Sequence, residues 1–348
     1  MDYTLLLIVV LLVVIGLVIL YSTSAYNGQV KFHDSFYYLK KQAFATVLGI
    51  VLMLFVAGMD YHIWQRLAVF GYLAAVALSV AVMLFGREIN GSKRWLALGP
   101  FSFQPSEFAK VALILFLADL VTKNVKTIGK MWTLCRIMFW ILPIVGLVGA
   151  SNLSTAIIIL GIGVILIFVA SPKYAQFALM GIAGACFMGI FLALESYRLE
   201  RLAIWRNPEK YEKGYQTLQG LYAIGSGGVF GVGIGNSVQK LGFVPEAQND
   251  MIFSIICEEL GLAGAGIIVF LFLLLIWRFF LIASGSRDLF GALIATGAMA
   301  HMMIQVILNI AVVTNTIPNT GITLPFISYG GTSVVFLLVE MGLVLSVS

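Results

Sequence analysis

The sequence predicts an all-α integral membrane protein, with about ten transmembrane helices and one large loop between the seventh and the eighth. Three observations predict it. Apolar residues fill 61% of the 348 positions and charged residues only 11%, less than half of the share usual in a globular domain. Mean hydropathy is +1.01. Apolar runs recur at the length of a bilayer-spanning helix, and a single long polar stretch, 196–250, interrupts them. With 21 basic and 16 acidic side chains, the chain cannot clothe a soluble surface of this size. A soluble enzyme, a disordered chain and a nucleic-acid-binding domain are therefore excluded. The net charge of +5 is ordinary for a membrane protein with basic loops. Cys135, Cys186 and Cys257 are scattered and odd in number, with neither a disulfide framework nor a metal-ligand spacing.

The spans fall at about 4–22, 42–58, 67–85, 106–121, 136–150, 155–170, 174–194, 252–280, 290–313 and 332–347. The first is too long for a signal-peptide core, has no basic residue ahead of it and no cleavage site behind it, so it reads as a retained helix. Spans five and six are parted only by Ser151 to Ser154, and read as two helices with a tight turn or as a broken pair. Gly161, Gly163, Gly181 and Gly184 suit close helix packing better than a ligand loop. Among the polar segments, 23–41 is short and mixed, 86–105 reads GREINGSKRWLALGPFSFQP, and 122–135 carries Lys123, Lys126 and Lys130. Ten helices place both termini on one side of the membrane, and the Lys123–Lys130 cluster favours the inside for that side. The 196–250 loop then lies outside. Its aromatics, glycines and paired charges predict partial order.

Ionisable residues at helix depth are expensive and mark candidate sites. Glu107 and Lys110 are three apart at the start of span four, behind Pro105, and share a helix face on which they can pair. That pair is either a structural ion pair or part of a polar cavity. In PEAQNDMIFSIICEELG, from Pro245 to Gly261, Asp250, Ser254 and Glu258 are spaced by four. Asp250 alone could be an N-cap; Glu258 and Glu259 could not, and three carboxylates at one helix entrance imply a wet cavity, a bound cation or a basic partner. GSGGVFGVGIGNS, from Gly225 to Ser237, lacks the strand–turn–helix context of a dinucleotide loop and reads as a close-packed re-entrant or loop segment. NTGITLPFISYGGTS, from Asn319 to Ser333, predicts irregular backbone lining a cavity.

Three blocks, GSKRWLALGPFSFQPSEFAK, GVGIGNSVQKLGFVPEAQNDMIFSIICEELG and TGITLPFISYGGTS, resemble the signature blocks of the SEDS (shape, elongation, division and sporulation) family, and they occur in its order. The resemblance spans essentially the whole chain and includes the ten-span layout. It implies a peptidoglycan glycosyltransferase that polymerises lipid II at the outer face of the bacterial cytoplasmic membrane, beside a class B penicillin-binding protein that cross-links the strands. The glycine-to-Pro-Glu stretch is more similar to division and spore-type members than to elongation-type ones, which implies septal synthesis alongside other division proteins. The essential aspartate of the family falls on Asp250, its loop tryptophan on Trp95, its QPSExxK pair on Glu107 and Lys110, and its double glutamate on Glu258 and Glu259. Departures are Gln248 for a usual histidine, Met251 for phenylalanine, Ser151-Asn152 for Pro-Asp, and Lys40-Lys41-Gln42 for a basic-Arg-Gln block. Without that aspartate, Lys110 must rely on Glu107.

Chain growth needs a base for the attacking sugar hydroxyl, positive charge for the departing lipid pyrophosphate, and an apolar groove for the lipid tails. Asp250 is the candidate general base. Lys41, Arg94, Lys110 and Lys240 are candidates for the pyrophosphate; a divalent cation such as Mg2+ or Mn2+ would serve the same end. Trp95 stacks on a sugar or anchors at the interface. Glu107, Glu258 and Ser237 complete the candidate substrate-binding set. The rival readings are an elongation-type polymerase, a flippase for the lipid-linked precursor and a scaffold that only recruits the cross-linking partner. No internal repeat of the kind transporters show is evident.

Overall fold

The computed structural model describes residues 1–89, 92–98, 101–178, 181 and 203–348. Helices α1 (Tyr3–Phe32), α2 (Tyr37–Ala57) and α3 (Tyr61–Phe85) lead into three short strands, β1 (Arg87–Ile89), β2 (Ser92–Leu98) and β3 (Phe101–Phe103). Next come α4 (Pro105–Asn124), α5 (Met131–Ser151) and α6 (Leu153–Ala170). The loop region contains α7 (Tyr215–Ser226) and ends at α8 (Ile252–Gly285), followed by α9 (Leu289–Val313) and α10 (Gly331–Val347). Nine of the ten expected spans are thus helices. Most of the seventh, with Gly184, Cys186, Arg198 and Arg201 beyond or within it, lies outside the described residues.

Local chemistry sets the helix ends. Asp2 caps α1 by accepting from the Leu5 N–H at 2.8 Å, and His33 in the left-handed region closes its far end. Asp60, Asn152 and Asp288 cap α3, α6 and α9 in the same way. Asn152, one of the departures from the family pattern, is therefore the turn residue between spans five and six, which settles them as two separate helices.

Among the described residues, seven helices are long and apolar enough to cross a membrane. The other two expected spans fall short for clear reasons. α10 has only 17 residues, and α4 carries Glu107, Lys110, Asp119 and Lys123. Polar content is tolerable in α4 because the helix is central: from Ala109 to Asp119 every residue is buried. Exposed apolar side chains such as Phe44, Phe55, Phe70 and Trp277 project from the outer helices, where lipid replaces water. Two apolar cores result, one built around α1, α8, α9 and α10, the other around α3 to α6.

Glycines bring the helices close. A Cβ on Gly49 of α2 would lie 2.6 Å from Leu338 of α10, and one on Gly342 of α10 would lie 2.6 Å from the Met53 carbonyl. Gly161 and Gly163 meet Ile304 and Ile141 equally tightly, as packing glycines should.

Two expectations need correction. The 86–105 segment is not plain loop: β1–β2–β3 form a small antiparallel sheet in which Arg87 pairs with Trp95 and Leu96 with Phe103. The 23–41 segment is mostly helix, since α1 runs on to Phe32 and α2 starts at Tyr37.

Candidate active site

One end of the bundle carries a cap. It gathers the α1–α2 turn, the sheet, the Asn152 turn, residues 203–251 and the irregular segment 314–330. Within the cap, Asp250 lies in the turn before α8 and caps nothing: Met251 holds the N-cap position, without a side-chain bond. Asp250 is half-buried, with Oδ2 facing Gly321. Burial, then the charge of Glu246, pushes its carboxyl up to about 6 against hydrogen bonds from its own backbone and the Gln216 side chain. A carboxylate with that affinity for a proton suits general base work near neutral pH.

Segment 314–330 has almost no regular structure, yet its backbone is satisfied by side chains from all around it. The Thr320 carbonyl accepts from Ser154 at 2.8 Å, Ile322 from Asn309 at 2.7 Å and Thr323 from Gln305 at 3.0 Å. Gln42 holds both the Ser328 carbonyl and the Gly330 N–H, and the Tyr329 N–H reaches the Gln248 carbonyl at 2.9 Å. Irregular backbone among transmembrane helices persists only when it is satisfied in this way.

Glu107 and Lys110 form the expected buried ion pair, 3.0 Å apart. Lys110 also donates to Gln305 Oε1 at 3.3 Å, an oxygen that His301 Nε2 reaches at 2.8 Å. The other His301 nitrogen meets Glu340 at 2.7 Å. Reasoning from the sequence missed this extension, although His301, Gln305 and Asn309 stand four apart in an apolar helix and so announce a polar stripe.

The double glutamate serves the glycine segment. Glu258 accepts from Ser237 Oγ and from the Val238 N–H at 3.0 Å. Glu259 is paired with Lys240 at 2.6 Å and accepts from Ser22. These groups are buried, so Lys240, Ser237, Glu258 and Glu259 are satisfied by one another. Beside them α8 breaks at Gly261 (φ 65), and the Gly225–Ser237 segment runs into the break. The Val232 and Gly233 N–H groups donate to the Glu258 and Glu259 carbonyls, at 2.9 and 3.0 Å. The Leu262 and Ala263 N–H groups donate to the Gly228 and Val229 carbonyls, both at 2.9 Å. The bonds lost to the break are thus made good across it.

The remaining candidates are spread around the cap. Arg94 donates to the Ser151 carbonyl at 2.9 Å, and Trp95 is half-buried in β2. Lys41 is exposed, with its ammonium 4.3 Å above the Tyr37 ring. Among the described residues no three His, Cys, Asp or Glu side chains converge as metal ligands.

The fold and site define a multi-pass helical membrane protein with a carboxylate of raised pKa within a cap and a buried polar stripe on α9 beside it. The chain belongs to the FtsW/RodA/SpoVE family of cell cycle proteins, which it matches over residues 3–348. It is 40% identical to stage V sporulation protein E of Bacillus subtilis, over all of this chain and 96% of that one. It is 35% identical to a probable peptidoglycan glycosyltransferase FtsW of Trichlorobacter lovleyi, over all of this chain and 93% of that one. A chain from a study of how a peptidoglycan synthase complex coordinates polymerization and crosslinking superposes with a TM-score of 0.85 at 30% identity, covering 99% of this chain and 97% of that one. RodA, the rod shape determining protein of Thermus thermophilus, superposes with a TM-score of 0.74 at 28% identity, covering 99% and 96%.

Proposed function

We propose that the protein is a peptidoglycan glycosyltransferase that polymerises lipid II into glycan strands. The observation that carries this is Asp250, a carboxylate outside the spanning helices whose pKa of about 6 fits a general base. Asp250 takes the proton from the acceptor sugar hydroxyl as that oxygen attacks the anomeric carbon of the donor. The bond from that carbon to the lipid pyrophosphate breaks, and the pyrophosphate leaves with the bonding electrons. Of the four cationic candidates, Lys240 is neutralised by Glu259, Lys110 by Glu107, and Arg94 holds the Ser151 carbonyl. Lys41 keeps its ammonium at the exposed surface of the cap, and we assign it to the pyrophosphate. The cap faces the outside of the bacterial cytoplasmic membrane, where the lipid tails lie along the apolar helices. A class B penicillin-binding protein is the cross-linking partner; support comes from the similar chain studied in a synthase complex. Likeness to FtsW and to the sporulation protein supports a septal role.

Purified protein is mixed with labelled lipid II, with and without the penicillin-binding protein, and products are separated by length. Strands from the wild type and none from Asp250→Asn are expected. Translocation of lipid II without strands would replace this reading with the flippase, and strands from Asp250→Asn would remove Asp250 as the base.

A further inference from the structure

Asn309 is completely buried on α9, and its carboxamide is used in an unusual way. Nδ2 donates both to the Asp250 carbonyl at 2.8 Å and to the Ile322 carbonyl at 2.7 Å. Carbonyl oxygens only accept, so these two partners fix the orientation of the amide. Both of its hydrogens are then committed, while Oδ1 is buried with no partner. Leaving a buried acceptor unsatisfied is costly, and an apolar side chain would fill this helix position without that cost. The two carbonyls it joins belong to separate segments of the cap. One is the main chain of Asp250. The other directly follows Gly321, whose φ of 69 turns the chain so that a Cβ there would stand 3.9 Å from Asp250 Oδ2. Asp250 lies in a turn, not in a helix, so its own segment does not anchor it as a helix would. One helical turn earlier, Gln305 holds the adjacent Thr323 carbonyl and meets Lys110. A single face of α9 thus carries both the carboxylate turn and the buried cation.

We propose that Asn309 is a positioning residue, clamping the Asp250 main chain to the Ile322 main chain so that the carboxylate stands where it can receive the acceptor hydroxyl proton. This inference rests on the reading of Asp250 as the base. Displacement of a base by about 1 Å typically costs on the order of 100-fold in rate. Asn309→Ala removes the clamp, and Asn309→Leu removes it while keeping the volume filled. Each is purified beside the wild type and Asp250→Asn, and strand synthesis is followed against lipid II concentration and pH.

For both Asn309 variants we expect kcat to fall roughly 10- to 100-fold, with KM changed little. We also expect the acid midpoint of the rate to drop from near 6 towards the ordinary carboxylate range, because a released carboxyl reaches water. Glu246 is the charged neighbour that remains in place. Normal kcat and an unmoved midpoint in Asn309→Leu, with Asp250→Asn inactive, would overturn the clamp alone. An active Asp250→Asn would instead overturn the base it serves. Failure of both Asn309 variants to insert would assign Asn309 to folding and overturn the proposal as well.

Discussion

Asp250 is held in a place that disfavours its charge, and this has opposite consequences for activity and stability. Its pKa of about 6 in the native protein lies above its ordinary value of 3.8, so the native state binds more protons than the unfolded chain between those values. The protonated group's contribution to stability is fully present below 3.8 and is lost as pH rises through about 6. Strand synthesis should do the reverse, falling tenfold per unit as the pH drops below about 6. Asp250→Asn should therefore be inactive, yet about 1–2 kcal/mol more stable than the wild type at pH 7.5. That advantage should fade on acidification, as thermal unfolding in detergent across the pH range can measure. Glu107 and Lys110 behave differently, because each relies on the other's charge. Removing one leaves an uncompensated buried ion, at a cost of about 3–5 kcal/mol, whereas replacing both with apolar residues costs less. Additive effects in a double-mutant cycle on unfolding would contradict this.

At the scale of elements, the decisive feature is the break in α8. A Cβ on Gly261 would lie 2.4 Å from the Gly231 nitrogen, and one on Gly231 would lie 2.2 Å from the Glu259 carbonyl oxygen. Both residues also have positive φ, so alanine at either place meets a backbone clash and a strained conformation together. Gly261→Ala should cost at least about 2 kcal/mol and unseat the Gly225–Ser237 segment. Protease cleavage within that segment should accelerate, whereas alanine at Gly266, which meets no atom within 4 Å, should leave it unchanged. Sequence reasoning reached the close packing of this segment from its glycine density and its lack of strand context. It did not reach the partner, because pairing with a break in a later helix is a long-range event with no local period. The sheet is a different case. Asn90-Gly91 and Gly99-Pro100 are hairpin and turn signals, obscured because the intervening runs are short. The extension of α1 to Phe32 escaped notice because hydropathy reports the bilayer, while a helix may continue beyond it into the cap.

Across the whole molecule, the two ends have distinct chemistry, and membrane sidedness follows from which end holds the site. The cap end carries Asp250, Lys41 and residues 203–251. The other end ties the chain termini together: the Asp2 N–H donates to Ser348 Oγ at 2.8 Å, Asp2 pairs with Arg278, and Ser346 reaches the Met59 carbonyl. His62 and Tyr61 meet Asp288 at that same end, which bears Lys123 in the last turn of α4 and Lys126 and Lys130 on the turn after it. This two-ended layout was readable from the order of apolar runs. The stripe of His301, Gln305 and Asn309 was readable in principle, but Glu340 as its terminus depends on packing between α9 and α10. On the proposed reading, positive charge in the short 125–130 turn favours the cytoplasm for that end and the outside for the cap. The structure also selects the probes. Gly214 is a poor place for a reporter cysteine, since a Cβ there would lie 2.1 Å from the Pro208 carbonyl oxygen, whereas Glu212 and Lys126 are exposed at opposite ends. In a background lacking Cys135, Cys186 and Cys257, Glu212→Cys should react with an impermeant maleimide on intact cells. Lys126→Cys should react only after the membrane is opened. The reverse pattern would put Asp250 on the cytoplasmic side, away from growing cell wall, and a polymerase acting at the outer face could not be sustained.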